Sequence, residues 1–591
     1  MELNYKSAAR VLVDVLRGFG CNTFFAVSGG AALHLMHAVR ECPEARLITV
    51  NHEQTVAMAV DAYSRLTGTM AVGIVTSGPG ATNLTTGVAG AYFDSIPCIF
   101  ITGQVATFRQ SHGLGVRQYG FQETRISEMF RPITKSIIEI QDLNSFVQDL
   151  ENVIGVATRG RPGPIVIDFP DDLQRQIIKG ARDQYDTIEL VEDSFSQEAN
   201  DLKTKMRGIV ELLKDCERPI IVCGAGIANA GNRTRSTLLE ILDSISIPVC
   251  LTWGAKDLVP SNRNYLLGTF GTHGNRSANI AIQKADLLFV LGSRLDTKST
   301  GSPPSTFAPS AKKILCDIDE KEILKFARFG VKIDEYVKVD FRTQLARELL
   351  GYFKVLKQHN WSDWIDKSSK KSHEIHVRAS EGNFVEPYEF ISNLSANVPD
   401  KTRLVVDTGC TIAWTMQEWT VSEGHRIFHD FNNTSMGWSI PAALASELVE
   451  DDYSTICLIG DGSLMMALSD LVTLRKYGRK VLVILMNNFG HSMIRQTQDQ
   501  WFRGTYVGSD SAIDLAFPDF ELLAKSSGFN YVCYDGASST LSKDQIVNYV
   551  HNFTFLEVKI DPLARVVPQN RFGKPIHEME PEIRNEEFNA S

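Results

Sequence analysis

The sequence predicts an α/β protein built as three doubly wound parallel-sheet domains. Two observations carry this reading. Short apolar, β-branched runs alternate with helical stretches of ten or more residues, the pattern of parallel βαβ units. That rhythm also restarts twice across polar stretches, dividing the 591 residues into three parts of similar size.

In chain order, the first twenty residues, MELNYKSAARVLVDVLRGFG, carry charges throughout and read as an amphipathic helix. They lack the apolar run of a signal peptide and the Arg/Ser bias of a transit peptide. The runs TFFAVSG, RLITVN, MAVGIVTSG, PCIFITG and PIVIDFP then predict the strands of a first domain over residues 1–185. A polar linker follows, DDLQRQIIKGARDQYDTIELVEDSFSQEAND. The second domain, 195–355, has strands at RPIIVCGAG, IPVCLTWG, DLLFVLGSR and KKILCDID. The stretch KQHNWSDWIDKSSKKSHEIHVRASEGNF is a second linker. The third domain, 375–565, has strands at RLVVDTG, TICLIGDGS, KVLVILMNN and FLEVKID. A tail rich in Pro and charge, 566–591, is expected to lack regular structure and to lie over a site or a partner.

Composition excludes several function classes. A formal net charge of −10 argues against phosphate reading on nucleic acid. The ten cysteines are scattered without a CxxC pair, so buried free thiols in a reducing cytoplasm are expected. No uncharged apolar stretch reaches the ~18 residues of a membrane span.

The strongest chemical signal lies in TICLIGDGSLMMALSDLVTLRKYGRKVLVILMNNFG. Asp461 and Asn488 are 27 residues apart and end successive strands. In a βαβ unit both sit at carboxyl ends of adjacent parallel strands, where open α/β sheets bind ligands. A carboxylate, an amide oxygen and a backbone carbonyl are hard ligands for Mg²⁺ or Ca²⁺. Gly460 and Gly462 let the backbone and the helix N-terminus approach a phosphate closely. GDG alone would fit a simple helix cap. Followed by the second strand ending in NN, the segment resembles the thiamine-diphosphate-dependent enzymes of the acetolactate synthase large-subunit family. By that resemblance Asp461, Asn488 and the Gly490 carbonyl hold Mg²⁺, and Gly409, Cys410, Gly462, Ser463 and Met493 border the cofactor.

Thiamine chemistry also needs a carboxylic acid that shares a proton with the cofactor's aminopyrimidine. Glu53, in RLITVNHEQTVAMAVDAYSRLTG, opens a helix after an apolar strand. By itself it equally complements a helix dipole. The segment resembles the family's HEQ signature, and SGGAAL, TSGPGATN, DSIPCIFITGQV, FQETRISEMFRPITK and GRPGPIVIDFPDD extend the likeness over about residues 5–565. The resemblance implies Glu53 as activator and Gly29, Gly30 and Ala31 facing the reactive centre. It places Phe121 and Gln122 on the substrate side and Gln104 in the GQ element. TSMGWSIPAALA resembles the family's GTMG…PAA element, which makes Met436 the residue holding the cofactor bent, with Thr434 beside the aminopyrimidine. The family's first domain meets the third domain of a second subunit, so a homodimer or homotetramer with an interfacial active site is expected.

The glycines Gly224 and Gly226 of PIIVCGAG are a weak nucleotide signal alone. With the later strand ends they resemble the family's FAD-binding middle domain, where FAD does no net redox chemistry. The implied contacts are Arg161, Gly224, Gly226, Thr252, His273, Gly274, Arg294, Asp296, Asp317 and Asp340.

Three departures stand out. Ile412 and Ala413 occupy positions where the family has Gln and His. Thr434 replaces a Gly. Thr497 replaces the Trp of RQWQ that borders the acceptor, which predicts a wider site with an added hydroxyl. The expected reaction decarboxylates a 2-oxo acid, pyruvate, and transfers the acyl-anion equivalent to a carbonyl acceptor. A larger acceptor such as a keto-sugar, or a decarboxylase or lyase outcome, remains the alternative.

Overall fold

A computed structural model describes residues 5–111, 113–179, 196–369, 384–535 and 540–582. It contains three six-stranded sheets, every pairing parallel, with helices on both faces. The first sheet holds β1 (Thr23–Ala26), β2 (Arg46–Thr49), β3 (Val72–Val75), β4 (Ile99–Gln104), β5 (Ser136–Glu139) and β6 (Ile165–Pro170), in the order β2-β1-β3-β4-β6-β5. The second holds β7 (Pro219–Cys223), β8 (Val249–Leu251), β9 (Leu266–Thr269), β10 (Leu287–Leu291), β11 (Lys312–Asp317) and β12 (Glu335–Lys338), ordered β9-β8-β7-β10-β11-β12. The third holds β13 (Thr402–Val406), β14 (His425–Phe428), β15 (Ser454–Gly460), β16 (Val481–Asn487), β17 (Asn530–Tyr534) and β18 (Thr554–Lys559), ordered β14-β13-β15-β16-β18-β17. The outer sheets thus share one topology. The middle sheet has the 3-2-1-4-5-6 order of dinucleotide-binding folds.

The apolar runs picked out from the sequence account for every interior strand and for the edge strand β2. The five other strands, β5, β9, β12, β14 and β17, are all sheet edges. Interior parallel strands are covered on both faces and read as unbroken apolar runs. Edge strands such as Glu335–Lys338 and Asn530–Tyr534 carry polar and half-buried positions, so the pattern is broken there.

Five helices position the site: α1 (Ala8–Gly18), α2 (Glu53–Thr67), α3 (Cys410–Glu418), α4 (Ser439–Glu447) and α5 (Ser492–Phe502). α1 is capped by the Ser7 hydroxyl, which accepts from Arg10 N at 3.2 Å. α2 is buried on every face from Thr55 to Ala62, where small and apolar residues surround the single carboxylate Asp61. It lies between its own sheet and α4, and one hydrophobic core runs through both outer domains. The small residues of α4, SIPAALASE, allow the close approach.

The described parts of both linkers have regular structure. Asp171–Gln174 is helical and Ile177–Lys179 pairs with Tyr5–Ser7; the remainder to 195 lies outside the described residues. The second linker contains a helix, Ser362–Ser369, and 370–383 also lie outside them. The tail is not structureless. It crosses from the third domain to the middle one, where Asn570 N donates to Thr272 O and Asn279 Nδ2 to Ile576 O. Gln569–Asn570 pairs there with Met579–Glu580, because buried Ile576 and Met579 anchor the turn between them. All ten cysteines are free; eight are buried, but Cys216 is half-buried and Cys533 exposed. No helix among the described residues is long and apolar enough to cross a membrane.

The outer domains also meet through a buried ion cluster. Arg65, on α2, donates to both carboxylate oxygens of Asp61 at 2.8 and 2.9 Å, to Asp94 at 2.6 Å and to the His429 carbonyl at 2.9 Å. Trp438 Nε1 donates to Asp61 across the junction. Breaking a buried pair strands an uncompensated charge. Arg65→Met is therefore expected to cost on the order of 3–5 kcal/mol, measured as an earlier midpoint in urea unfolding, with Arg65→Lys losing less.

Candidate active site

Asp461 and Asn488 follow the adjacent parallel strands β15 and β16, in which Gly460 is in register with Met486. Both residues are buried. The Asp461 carboxylate accepts from Gly462 N at 2.7 Å and Gly490 N at 2.9 Å. Burial nevertheless pushes its carboxyl up to about 7. Beside it, the Asn488 Oδ1 is buried without a hydrogen-bond partner. A buried acceptor left unsatisfied costs about 1–3 kcal/mol. A hard cation between these two oxygens would satisfy one and offset the burial of the other. Among the described residues, no three His, Cys, Asp or Glu side chains converge as a metal cluster. An ion here would rest on one carboxylate, one amide oxygen and the Gly490 carbonyl, a sparse set that leaves room for phosphate oxygens, as Mg²⁺ prefers.

The turn carrying these groups is held from behind. Arg495, on α5 and fully buried, donates to the Asn488 carbonyl at 2.6 Å and to Ser492 Oγ at 2.8 Å. Gly490 has φ +151°, and a Cβ there would meet Ser509 O at 2.3 Å. Gly462 is equally restricted: a Cβ would lie 2.2 Å from His491 Nε2 and 3.4 Å from Met436 Cε. Thus Met436, distant in sequence, stands over the GDG turn. In the sequence Arg495 is only the first residue of the element resembling RQWQ, with no role attached, and His491 belongs to no residue pattern with its own chemistry. Met493, also on α5, is partly buried against the third-domain core.

Gly409 has φ +84° with open space where its Cβ would be, and Cys410 begins α3. Burial pushes the Cys410 thiol up to about 12, so it acts as a small apolar wall. Ile412 and Ala413 turn into the core. Thr434 sits at φ +50°, a left-handed conformation that a β-branched residue adopts only under strain. Its N–H donates to Asp430 O at 2.8 Å. Thr497 is exposed, its hydroxyl returned to the Met493 carbonyl at 3.1 Å.

In the first domain, Glu53 is half-buried rather than largely buried, and its partner is Asn83, whose Nδ2 donates to Oε2 at 2.9 Å. The remaining exposure reflects its place at the very start of α2. Gly29 packs on Thr76, where a Cβ would meet the side chain at 2.5 Å, and Ala31 N donates to Thr76 Oγ1 at 3.2 Å. Gly30 faces open space. Gln104 is buried between Thr124 O and Asp168. Phe121 is 86% exposed, and Gln122 has φ +65°. Glu123 gathers that loop, accepting from Ser111 N and Oγ, Tyr119 N and Gly120 N. Those bonds hold its carboxyl down at about 2.

A separate cavity of about 380 Å³ opens where all three domains meet, at the switch point between β7 and β10. Arg161, Gly226, Thr252, His273, Arg294, Asp296, Asp317 and Asp340 line it. Gly224 and Gly274 do not. Gly224 N donates to Leu291 O, and a Cβ there would meet Gly292 O at 2.4 Å; a Cβ on Gly274 would meet the Phe270 backbone at 2.5 Å. These two glycines allow strand and loop to touch, not a ligand. The sequence did not single out Lys298, which lies in the wall 3.5 Å from the Trp253 ring centroid. Burial holds its ammonium down at about 8. A cation, Gly226 at a switch point and two carboxylates at or just beyond strand ends suit a dinucleotide's phosphates and ribose.

Comparison with known proteins decides the family. Residues 6–129 match the family described as "Thiamine pyrophosphate enzyme, N-terminal TPP binding domain". Residues 206–339 match its central domain and 407–558 its C-terminal TPP binding domain. The acetolactate synthase large subunit of Parasynechococcus marenigrum is 31% identical, covering 89% of this chain and 83% of the relative. That of Lactococcus lactis is 29% identical over 97% and 96%. Escherichia coli acetolactate synthase isozyme 2 large subunit is 29% identical over 95% and 97%. The chain belongs to the acetolactate synthase family of thiamine-diphosphate-dependent enzymes. In this family member, the matched N- and C-terminal units are the two sheets of shared topology, and the central unit is the sheet of dinucleotide order.

Two outcomes test the geometry. Asn488→Leu, which removes the orphaned oxygen at similar volume, is expected to weaken Mg²⁺-dependent retention of thiamine diphosphate at least tenfold in equilibrium dialysis. Thr434→Gly relieves the left-handed strain and is expected to raise unfolding stability by about 1 kcal/mol.

Proposed function

We propose that this protein is a carboligase that decarboxylates a 2-oxo acid, pyruvate, and transfers the acyl-anion equivalent to a carbonyl acceptor. The observation that carries the reading is the unpartnered Asn488 Oδ1 at the strand end next to Asp461, with Met436 over the GDG turn, in a chain of this family. Bound thiamine diphosphate would supply a thiazolium that accepts the electron pair left when CO₂ departs.

The chain's own residues do the rest. Asp461, Asn488 and the Gly490 carbonyl would hold Mg²⁺. Met436, an unbranched thioether standing over the GDG turn, would pack against the cofactor and hold its shape. Glu53 holds a proton for the aminopyrimidine, and closure by a second subunit would complete its burial. Gly30 leaves the space above the reactive centre open, while Phe121 and Gln122 face the substrate. A homodimer or homotetramer fits the exposed apolar surface of the loop carrying Phe108, Tyr119 and Phe121, which are 67%, 63% and 86% exposed. FAD, without net redox chemistry, would suit the cavity between the domains, where Arg161, Lys298, Asp317 and Asp340 would hold it. The free thiols accord with a cytoplasmic location.

Thr497 favours a second reading on the acceptor side. It is exposed and small where relatives of the resemblance carry Trp, so a larger acceptor such as a keto-sugar has room.

An acceptor screen with labelled pyruvate, read by mass spectrometry, tests both readings: acetolactate alone supports the first, and a mixed product the second. Carbon dioxide release with no ligated product would overturn both in favour of a decarboxylase. Glu53→Gln at saturating cofactor is expected to lower kcat/KM by roughly 10²–10⁴-fold. Flavin absorption in the purified protein checks the second cofactor.

A further inference from the structure

Asp407 follows β13 and is fully buried, yet no step of the proposed chemistry uses it. Its carboxylate gathers backbone N–H groups from separate segments. Oδ1 accepts from Thr408 N and from Gly437 N, both at 3.0 Å. Oδ2 accepts from Ser439 N at 2.9 Å, and the Ser463 hydroxyl acts on the same carboxyl. Thr408 precedes Gly409, Gly437 follows Met436, Ser439 opens α4, and Ser463 belongs to the GDG turn. The segments expected to surround the diphosphate and the aminopyrimidine therefore meet on one side chain that has no exposed surface of its own.

The bonding pattern favours an ionised acceptor. Charge-assisted bonds to N–H groups are the strong class, and the positive end of α4 adds to them. Burial acts the other way, pushing the carboxyl up. A second observation shows what this arrangement holds in place. The loop 430–437 contains Thr434 at φ +50° and Gly437 at φ +85°, and a Cβ on Gly437 would meet Met466 Cβ at 2.8 Å. Backbone in sparsely populated regions persists only where surrounding contacts over-determine it. Asp430 O grips the loop at Thr434, and Asp407 grips it at Gly437.

We infer that Asp407 is a positioning residue that assembles the Met436 clamp before any cofactor arrives; the inference rests on the thiamine diphosphate reading above. Its substitution should act on cofactor affinity and turnover, not on substrate affinity. In the full-length protein, Asp407→Asn keeps the shape but turns an amide donor toward backbone N–H groups. The expected result is a tenfold or greater rise in the dissociation constant for thiamine diphosphate with Mg²⁺. At saturating cofactor, kcat falls while KM for pyruvate stays within twofold. A variant that binds the cofactor as wild type does overturns the inference. Wild-type protein that fails to bind it overturns the cofactor reading instead. Should the variant not fold, hydrogen exchange on cofactor-free wild-type protein decides: Gly437 and Ser439 amides should be as protected as those of β15. Exchange there at open-loop rates overturns the inference.

Discussion

Arg65 ties together the parts of this molecule that have to stay in register. It lies on the helix that begins with Glu53, it binds the Asp94 carboxylate that borders the inter-domain cavity, and it reaches the His429 carbonyl at the head of the loop leading to Met436. Asp94 in turn accepts from Phe431 N and Asn432 N of that loop. Three carboxylates, Asp61, Asp94 and Asp430, share this buried cation, so burial and mutual repulsion push Asp430 toward its protonated form. A charged group buried at such a cost is weak support for stability but strong support for a fixed arrangement. Here the arrangement relates the first domain to the third and both to the cavity.

The two candidate sites follow one physical rule applied in two ways. Parallel strands all end on the same side, so the turns after them converge, and their backbone groups are available to a ligand. In the third domain those turns present Asp461 and an unsatisfied Asn488 oxygen. In the middle domain the same geometry leaves a cavity at the switch point. The glycines divide by function accordingly. Gly30 and Gly409 face open space, whereas Gly224, Gly274 and Gly490 permit chain segments to touch. A glycine motif in the sequence does not distinguish these two uses.

The placement of Asp461 and Asn488 after adjacent parallel strands was legible, because those strands read as apolar runs. The middle site was legible in outline: eight of its ten expected contacts line the cavity. Lys298 escaped notice, since a single lysine has no pattern until burial and the Trp253 ring define its surroundings. The roles of Asn83, Arg495 and Asp407 escaped for the same reason. Each acts through a partner remote in sequence or through backbone groups that every residue possesses.

The sequence by itself determined the three sheets, their parallel sense, their interior strands and the family, because two-sided burial imposes continuous apolar runs and motif spacing survives without coordinates. Only the tertiary structure decided which strands form the edges, where the tail lies and how half-buried Glu53 is. It also decided that Met436 stands over Gly462 and that Thr434 is strained. Those facts depend on which distant segments share a hydrogen bond or a void, and Asp407, joining residues 408, 437, 439 and 463 through one carboxyl, is such a fact.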